Sequence, residues 1–86
     1  DVTNNPKLET LDVGGGPIEM LDISNNPDLT RLVCYATELS AINLSENVKL
    51  EVLNIGSNKI TDLNLTNNPQ LIELNCSRNE LNELNV

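Results

Sequence analysis

The chain has no histidine, phenylalanine or tryptophan, and Tyr35 is its only aromatic residue. Without histidine, neither a Ser-His-Asp nor a Cys-His catalytic arrangement can be assembled within these 86 residues. The most common neutral metal ligand is missing for the same reason. The sequence therefore predicts that this segment is not an enzyme and that it holds no metal and no cofactor.

Basic residues and long apolar runs are also scarce. Five Lys and Arg residues stand against 13 Asp and Glu residues, which gives a formal net charge of −8. Such a charge repels nucleic acid and anionic membrane surfaces, so neither is predicted as a partner. No apolar run is long enough for a transmembrane helix, so direct insertion into a membrane is not predicted.

What the chain does have is a repeated pattern. Residues 71–81 read LIELNCSRNEL, and residues 50–60 read LEVLNIGSNKI, so both follow LxxLx(C/I)xxNx(L/I). The apolar pair written LxL recurs along the whole sequence. Its first residue falls at Leu11, Leu21, Leu32, Ile42, Leu53, Leu63, Leu74 and Leu84. The steps between these positions alternate between ten and eleven residues, so the true period is 21.

Two kinds of half-unit therefore alternate. The shorter kind, called A, starts at Leu11, Leu32, Leu53 and Leu74, and the longer kind, called B, starts at Leu21, Ile42 and Leu63. The chain opens inside a B half-unit and stops at Val86, three residues into another. We expect one domain over residues 1–86, with about four coils and no capping sequence, from a longer protein.

The spacing of the apolar residues predicts the fold. Two residues that lie two apart in a strand point to the same face, so each LxL pair marks a short strand with an apolar inner side. One half-unit cannot bury that side alone, but stacked copies form a continuous core. We expect coils roughly 4.8 Å apart, with short parallel strands on two sides of each 21-residue coil and little or no α-helix.

Asparagine and cysteine recur at fixed places in the repeat. Buried turn backbone needs hydrogen-bond partners, and an inward asparagine amide can both donate and accept. The asparagines expected to do this are Asn26, Asn47, Asn58, Asn68 and Asn79. Cys34 and Cys76 occupy the same inward place two coils apart, or roughly 9–10 Å. A disulfide needs Cα atoms within about 7 Å, so we predict two free, buried thiols.

This pattern resembles the leucine-rich repeat family, whose signature is LxxLxLxxNxL, and in particular a bacterial class that nests two half-units in 21 residues (IRREKO-like). Gly16 and Thr37 depart from it where Asn is expected, and Val48 replaces the Pro of the B half-unit. The resemblance implies a leucine-rich repeat solenoid. It also implies a protein–protein recognition module of a bacterial secreted or cell-surface protein, with an extracellular or cell-surface location.

A structural spacer or stalk without its own ligand is the alternative function. A spacer should be uniform on both sides, whereas a binding module should be varied on one. The B side repeats Asp22, Asn43 and Asn64 between its apolar residues. The A side is varied and carries the only aromatic residue. The predicted partner-binding residues are Arg31, Val33, Tyr35, Val52, Asn54 and Glu73.

Two further motifs are interpreted as by-products of the repeat. Gly14 to Gly16 lack the Gly-Lys-Ser/Thr continuation of a phosphate-binding loop, so we expect a loosened turn there. The Asn-x-Ser/Thr triplets at Asn43, Asn64 and Asn75 arise wherever the repeat places Ser or Thr after LxL.

Overall fold

The described chain consists of six short β-strands joined by turns, and it contains no helix. The computed structural model describes residues 4–85. Its strands are β1 (Thr10–Gly14), β2 (Arg31–Tyr35), β3 (Val52–Asn54), β4 (Asp62–Asn64), β5 (Glu73–Asn75) and β6 (Glu83–Asn85). Residues 1–3 and Val86, which belong to the predicted incomplete B half-units, lie outside the described residues.

The A half-units form a continuous parallel sheet. Its strand order is β1-β2-β3-β5, and one row of its register joins Thr10, Arg31, Val52 and Glu73. Every partner in that row is 21 residues along the chain, so the predicted period is confirmed. The chain is a leucine-rich repeat solenoid, as the sequence predicts.

The B half-units form a shorter sheet than expected. β4 and β6 pair in parallel, with Leu63 opposite Leu84, but residues 21–23 and 42–44 are not strands. Side chains make cross-coil bonds in that region, because Asn47 Nδ2 donates to the carbonyl oxygens of Ile23 and Asn26, each at 3.0 Å. The B side therefore holds its coils together partly through the turn asparagine rather than through a full strand ladder.

The core lies between the two sides, as the LxL pattern predicts. The fully buried side chains include Leu29, Leu32, Leu50, Leu53, Ile60 and Leu63. Burying a leucine or isoleucine contributes about 1.5–3 kcal/mol, so these stacked columns are the main source of stability. Leu74 occupies the same inward place as Leu53 but is 37% exposed, because no further described A strand lies beyond β5.

Both cysteines are free thiols, which confirms that they do not form a disulfide, but the predicted burial holds fully only for Cys34. Cys34 is buried beside Val13 of the preceding coil in the strand register, and Cys76 is partly buried. The Cys34 Sγ lies 3.4 Å from Thr37 Oγ1. Cys34 therefore behaves as a small core residue with a weak polar contact.

The predicted asparagine columns are formed. Asn26, Asn47 and Asn68 each donate from Nδ2 to the backbone oxygen of the residue 21 positions earlier, at 2.8–3.0 Å. Asn58 and Asn79 each reach the carbonyl 24 positions earlier, at 2.8 and 2.9 Å. The amide donors bind the preceding coil in every case, so each asparagine joins its own coil to the one before it.

The turns after the A strands share a left-handed residue. Gly15, Ala36, Ser57 and Arg78, spaced 21 apart, have φ angles of 74°, 54°, 58° and 56°. Glycine adopts this conformation without steric cost, but alanine, serine and arginine do not. The glycine run in the first coil thus follows the same turn path as the other coils at Gly15.

Candidate recognition surface

The A face, meaning the outward side chains of β1, β2, β3 and β5, brings the predicted contact residues together. Arg31, Val33 and Tyr35 alternate along β2. In the next strand, Val52 pairs with Arg31 and Asn54 pairs with Val33. Glu73 pairs with Val52 one strand further along. The six residues therefore lie on three adjacent strands of one sheet.

Their exposure is uneven. Arg31 and Glu73 are exposed, Tyr35 is 48% exposed, and Val52 is half-buried. Val33 is only 6% exposed, although its position in the alternation predicts an outward side chain. It lies in an inner strand, between Arg31 and Tyr35 along β2 and between Asp12 and Asn54 across the sheet. Val33 is therefore the floor of the patch rather than one of its protruding side chains.

Asn54 has a structural role that the sequence interpretation missed. Its Oδ1 accepts the backbone N–H of Gly56 at 3.1 Å, and Asn75 Oδ1 accepts from Ser77 N–H at 3.1 Å. An asparagine that bonds the backbone two residues ahead forms an Asx-turn. Asn54 thus ends β3 and begins the turn, which leaves its amide NH₂ as the group that can face a partner.

The same local bond recurs on the B side. Asp22, Asn43 and Asn64 each accept the N–H of the residue two positions ahead, at 2.9–3.0 Å. The hydroxyls of Ser24 and Thr66 also donate to these side chains, at 2.6 and 2.7 Å. The sequence signal is Asn or Asp followed two residues later by Ser or Thr at the end of an LxL pair. The uniform polar column on the B side is therefore a column of turn-forming residues.

Two titrating groups outside the A face have shifted pKa values. The hydroxyl and backbone N–H of Ser24 both donate to Asp22, which lowers the pKa of that carboxyl. Lys49 Nζ donates to Asp28 Oδ1 at 2.9 Å, and this hydrogen bond and the attraction between the two charges raise the pKa of Lys49. Both pairs are exposed, and the Lys49–Asp28 ion pair is a salt-sensitive surface interaction.

The B side also presents an apolar groove that was not predicted from the sequence. It has a volume of about 460 Å³ and is lined by Met20, Leu21, Asp22, Ala41, Ile42 and Asn43. Met20 is 85% exposed at its rim. Its outward place is taken by Ala41 and Asp62 in the following coils, so no sequence periodicity marks it.

A solenoid of 21-residue coils, with LxL strands, buried turn asparagines and a continuous parallel sheet on one side, is the architecture of a leucine-rich repeat domain. Such domains are generally non-enzymatic scaffolds that mediate protein interactions. The comparisons with known proteins agree with this class. The family model described as Leucine Rich repeat matches residues 46–63.

A solved structure from Listeria monocytogenes, described as the functional domain of InlJ that includes a cysteine ladder, is similar to this chain with a TM-score of 0.91. The sequences are 27% identical over 94% of this chain. The chain spans only 18% of the length of the InlJ chain. No curated protein sequence gives a significant match. The chain therefore has the leucine-rich repeat fold, and residues 46–63 are similar in sequence to that family.

Within residues 4–85, no helix is present that is long and apolar enough to cross a membrane. In the same residues, no group of three or more His, Cys, Asp or Glu side chains is placed to hold a metal ion.

Proposed function

We propose that this chain is a protein–protein recognition module of a bacterial secreted or cell-surface leucine-rich repeat protein, and that it contacts its partner through the A face. The observation that carries the proposal is the grouping of the only aromatic residue with Arg31, Val52 and Glu73 on the continuous sheet. The InlJ structure is bacterial, which supports a bacterial origin. The secreted or cell-surface location is supported by the resemblance to the nested-repeat class.

The chemistry of the A face suits a protein partner. Tyrosine and arginine are enriched among the residues that contribute most to binding energy in protein interfaces. Here Tyr35 and Arg31 lie on one strand, with the buried Val33 between them. A packed sheet holds its side chains at fixed spacings, so less conformational entropy is lost on binding than for a loop.

The spacer alternative is favoured by one observation, the uniformity of the B side. Asp22, Asn43 and Asn64 all use their side-chain oxygen for the same turn bond, so these groups serve the coil itself. If the A face also lacked a partner, the chain would be a rigid element of a longer protein. The two functions therefore differ in whether any A-face substitution changes binding.

The test measures partner affinity with variants on each side of the solenoid. A partner isolated with the full-length parent protein is titrated against the parent, Tyr35→Ala, Met20→Ala and Asn64→Ala. Met20→Ala is the matched control, because it also removes an exposed apolar side chain, but from the B side. Thermal melting confirms that each variant is folded.

We expect Tyr35→Ala to weaken binding by about tenfold or more, since a hot-spot residue contributes about 1–2 kcal/mol or more. The two B-side variants should bind like the parent. Loss of binding with Met20→Ala or Asn64→Ala but not with Tyr35→Ala would place the contact on the other side. Full-length protein that captures no partner through this segment would favour the spacer.

A further inference from the structure

The ring of Tyr35 fills the space above Gly14. The two residues are partners in the register between β1 and β2. A Cβ atom built on Gly14 would lie 2.7 Å from Tyr35 Cε1, 2.9 Å from Cζ and 3.0 Å from Cδ1. Real Cβ atoms essentially never approach other atoms within 3.0 Å. A side chain at position 14 and the present position of the ring therefore exclude each other.

The backbone does not explain glycine at position 14. Of the three consecutive glycines, only Gly15 has a left-handed backbone, with a φ of 74°. Gly16 has open space around the position of a Cβ atom and no left-handed φ. Gly14 is thus the one glycine of the run whose missing side chain is matched to a neighbouring side chain.

The ring leans toward one neighbouring coil only. Gly56 holds the equivalent position in the following coil, but a Cβ built there would meet Asn75 Oδ1 at 3.3 Å and Asn54 Oδ1 at 3.4 Å. Tyr35 is not among its nearest neighbours. The ring therefore lies over Gly14 of the first coil, and it is not among the nearest groups at Gly56.

We infer that Gly14 is a positioning residue for Tyr35, and that the two form a preassembled aromatic platform for an apolar or aromatic side chain of a protein partner. The assignment of a partner rests on the proposed function, but the positioning does not. The ring remains 48% exposed while its other surface rests on the backbone at Gly14. A ring already held in one orientation loses less freedom when a partner packs on it.

The test of positioning uses Tyr35 as its own reporter. Because Tyr35 is the only aromatic residue, the tyrosine band in near-ultraviolet circular dichroism comes from this ring alone. We expect Gly14→Ala to remove most of that band, with the far-ultraviolet spectrum unchanged. The ring is the far end of a flexible side chain and can swing away. Gly16→Ala is the matched control and should retain the parent band. A parent-like band in Gly14→Ala would overturn the inference.

A double-mutant cycle covers the case in which Gly14→Ala unfolds the chain. Gly14→Ala is compared in the parent and in Tyr35→Ala by urea denaturation. If the ring is what the methyl group meets, the substitution lowers the urea midpoint in the parent and shifts it little in the Tyr35→Ala background. Equal shifts in both backgrounds would show that Gly14 acts through something other than Tyr35.

Partner affinity separates the platform from the proposed function. We expect Gly14→Ala to weaken binding by about the same tenfold as Tyr35→Ala. Binding that is lost in Tyr35→Ala but kept in Gly14→Ala would overturn the platform. If neither variant changes binding while Gly14→Ala still loses the tyrosine band, the proposed contact face is wrong and the positioning role stands.

Discussion

The turns on the two sides of the solenoid satisfy their buried backbone groups differently, although both use asparagine. On the A side, Asn58 accepts at Oδ1 from the backbone N–H groups of Thr37 and Leu39, at 2.9 and 3.0 Å. Its Nδ2 also donates to the carbonyl oxygens of Cys34 and Ile55, at 2.8 and 3.0 Å. One side chain therefore both accepts from and donates to the preceding coil, and it also donates to its own coil.

On the B side, the turn supplies its own acceptors. Asn47 N–H donates to Leu44 O at 3.1 Å, and Leu50 N–H donates to Asn47 O at 3.2 Å. The Asn47 side chain then donates twice to the preceding coil, while its buried Oδ1 accepts from none of the described residues. Asn68 Oδ1 is in the same situation. These asparagines act as donors.

The difference follows from the length of the half-units. The B half-unit has eleven residues, and this length accommodates two consecutive tight turns. In each turn a backbone N–H donates to the carbonyl oxygen three residues earlier. The ten-residue A half-unit turns instead through a left-handed residue and leaves N–H groups directed at the next coil. Asparagines at corresponding places in the two half-units can therefore contribute differently to the free energy of unfolding.

The largest expected effect is on the asparagines themselves. Asn58→Ala removes the partner of two buried N–H groups and of the Cys34 and Ile55 carbonyl oxygens, so we expect it to lower the free energy of unfolding by about 3 kcal/mol. Asn47→Ala removes two donated bonds but also an unpaired oxygen, so we expect a loss of about 1 kcal/mol. Urea denaturation of both variants measures the contrast. Equal losses would remove the distinction between the two columns.

A smaller effect should appear at the left-handed residue of the A turn. Ala36 has a φ of 54°, and this left-handed conformation costs an alanine about 1–2 kcal/mol. Glycine has no such steric cost, although it loses more conformational entropy on folding. We expect Ala36→Gly to raise the free energy of unfolding by about 0.5 kcal/mol. Ala41→Gly is the matched control, because Ala41 is also exposed but lacks a left-handed φ. It should lower stability by about 0.4–1 kcal/mol.

The measurement for this pair is the same urea titration, and the informative quantity is the sign. If both glycine variants were less stable than the parent, the left-handed turn would not be a strained feature of the A side.

The smallest effect concerns pH on the B side. Ser24 lowers the pKa of folded Asp22, so the folded state binds a proton less readily than the unfolded state. The resulting stability is present above the ordinary pKa near 3.8 and is lost as the pH falls through that value and below. Asp22→Asn keeps an acceptor for Ser24, as Asn43 does for Ser45, but does not titrate.

We therefore expect the unfolding midpoint of the parent to fall more steeply than that of Asp22→Asn as the pH drops below about 5. Measuring the urea midpoint against pH for both proteins tests this. Parallel curves would show that the Ser24 bonds do not favour the ionised carboxyl.

The period and the inward residues could be predicted from the sequence because the same apolar pattern recurs many times along the chain. Leu32, Leu53 and Leu63 are buried where the LxL pattern puts them, and the 21-residue register follows from the alternating steps. The separation of Cys34 from Cys76 follows from the same register. These features depend on local chain geometry, which is the same in every coil.

Features that depend on neighbours in three dimensions could not be predicted in this way. Val33 is outward by alternation but is surrounded on an inner strand, and Leu74 is inward but has no described A strand beyond it. Likewise, no difference in sequence explains why residues 21–23 and 42–44 do not form strands whereas residues 62–64 do. In the candidate contact patch, the grouping of six residues was predictable, whereas the matching of Gly14 to Tyr35 required coordinates.

The constant register of the larger sheet also governs how such a chain can change over evolutionary time. Each strand faces residues 21 positions away. Duplicating a stretch such as residues 32–52 would give every residue the same kind of neighbour, so we expect a longer solenoid with both sides intact. Deleting the single half-unit at 53–62 would stack B half-units on A half-units. The A face would then be interrupted by the turn-forming polar residues of the B side. Inherited changes of length should therefore come in whole coils.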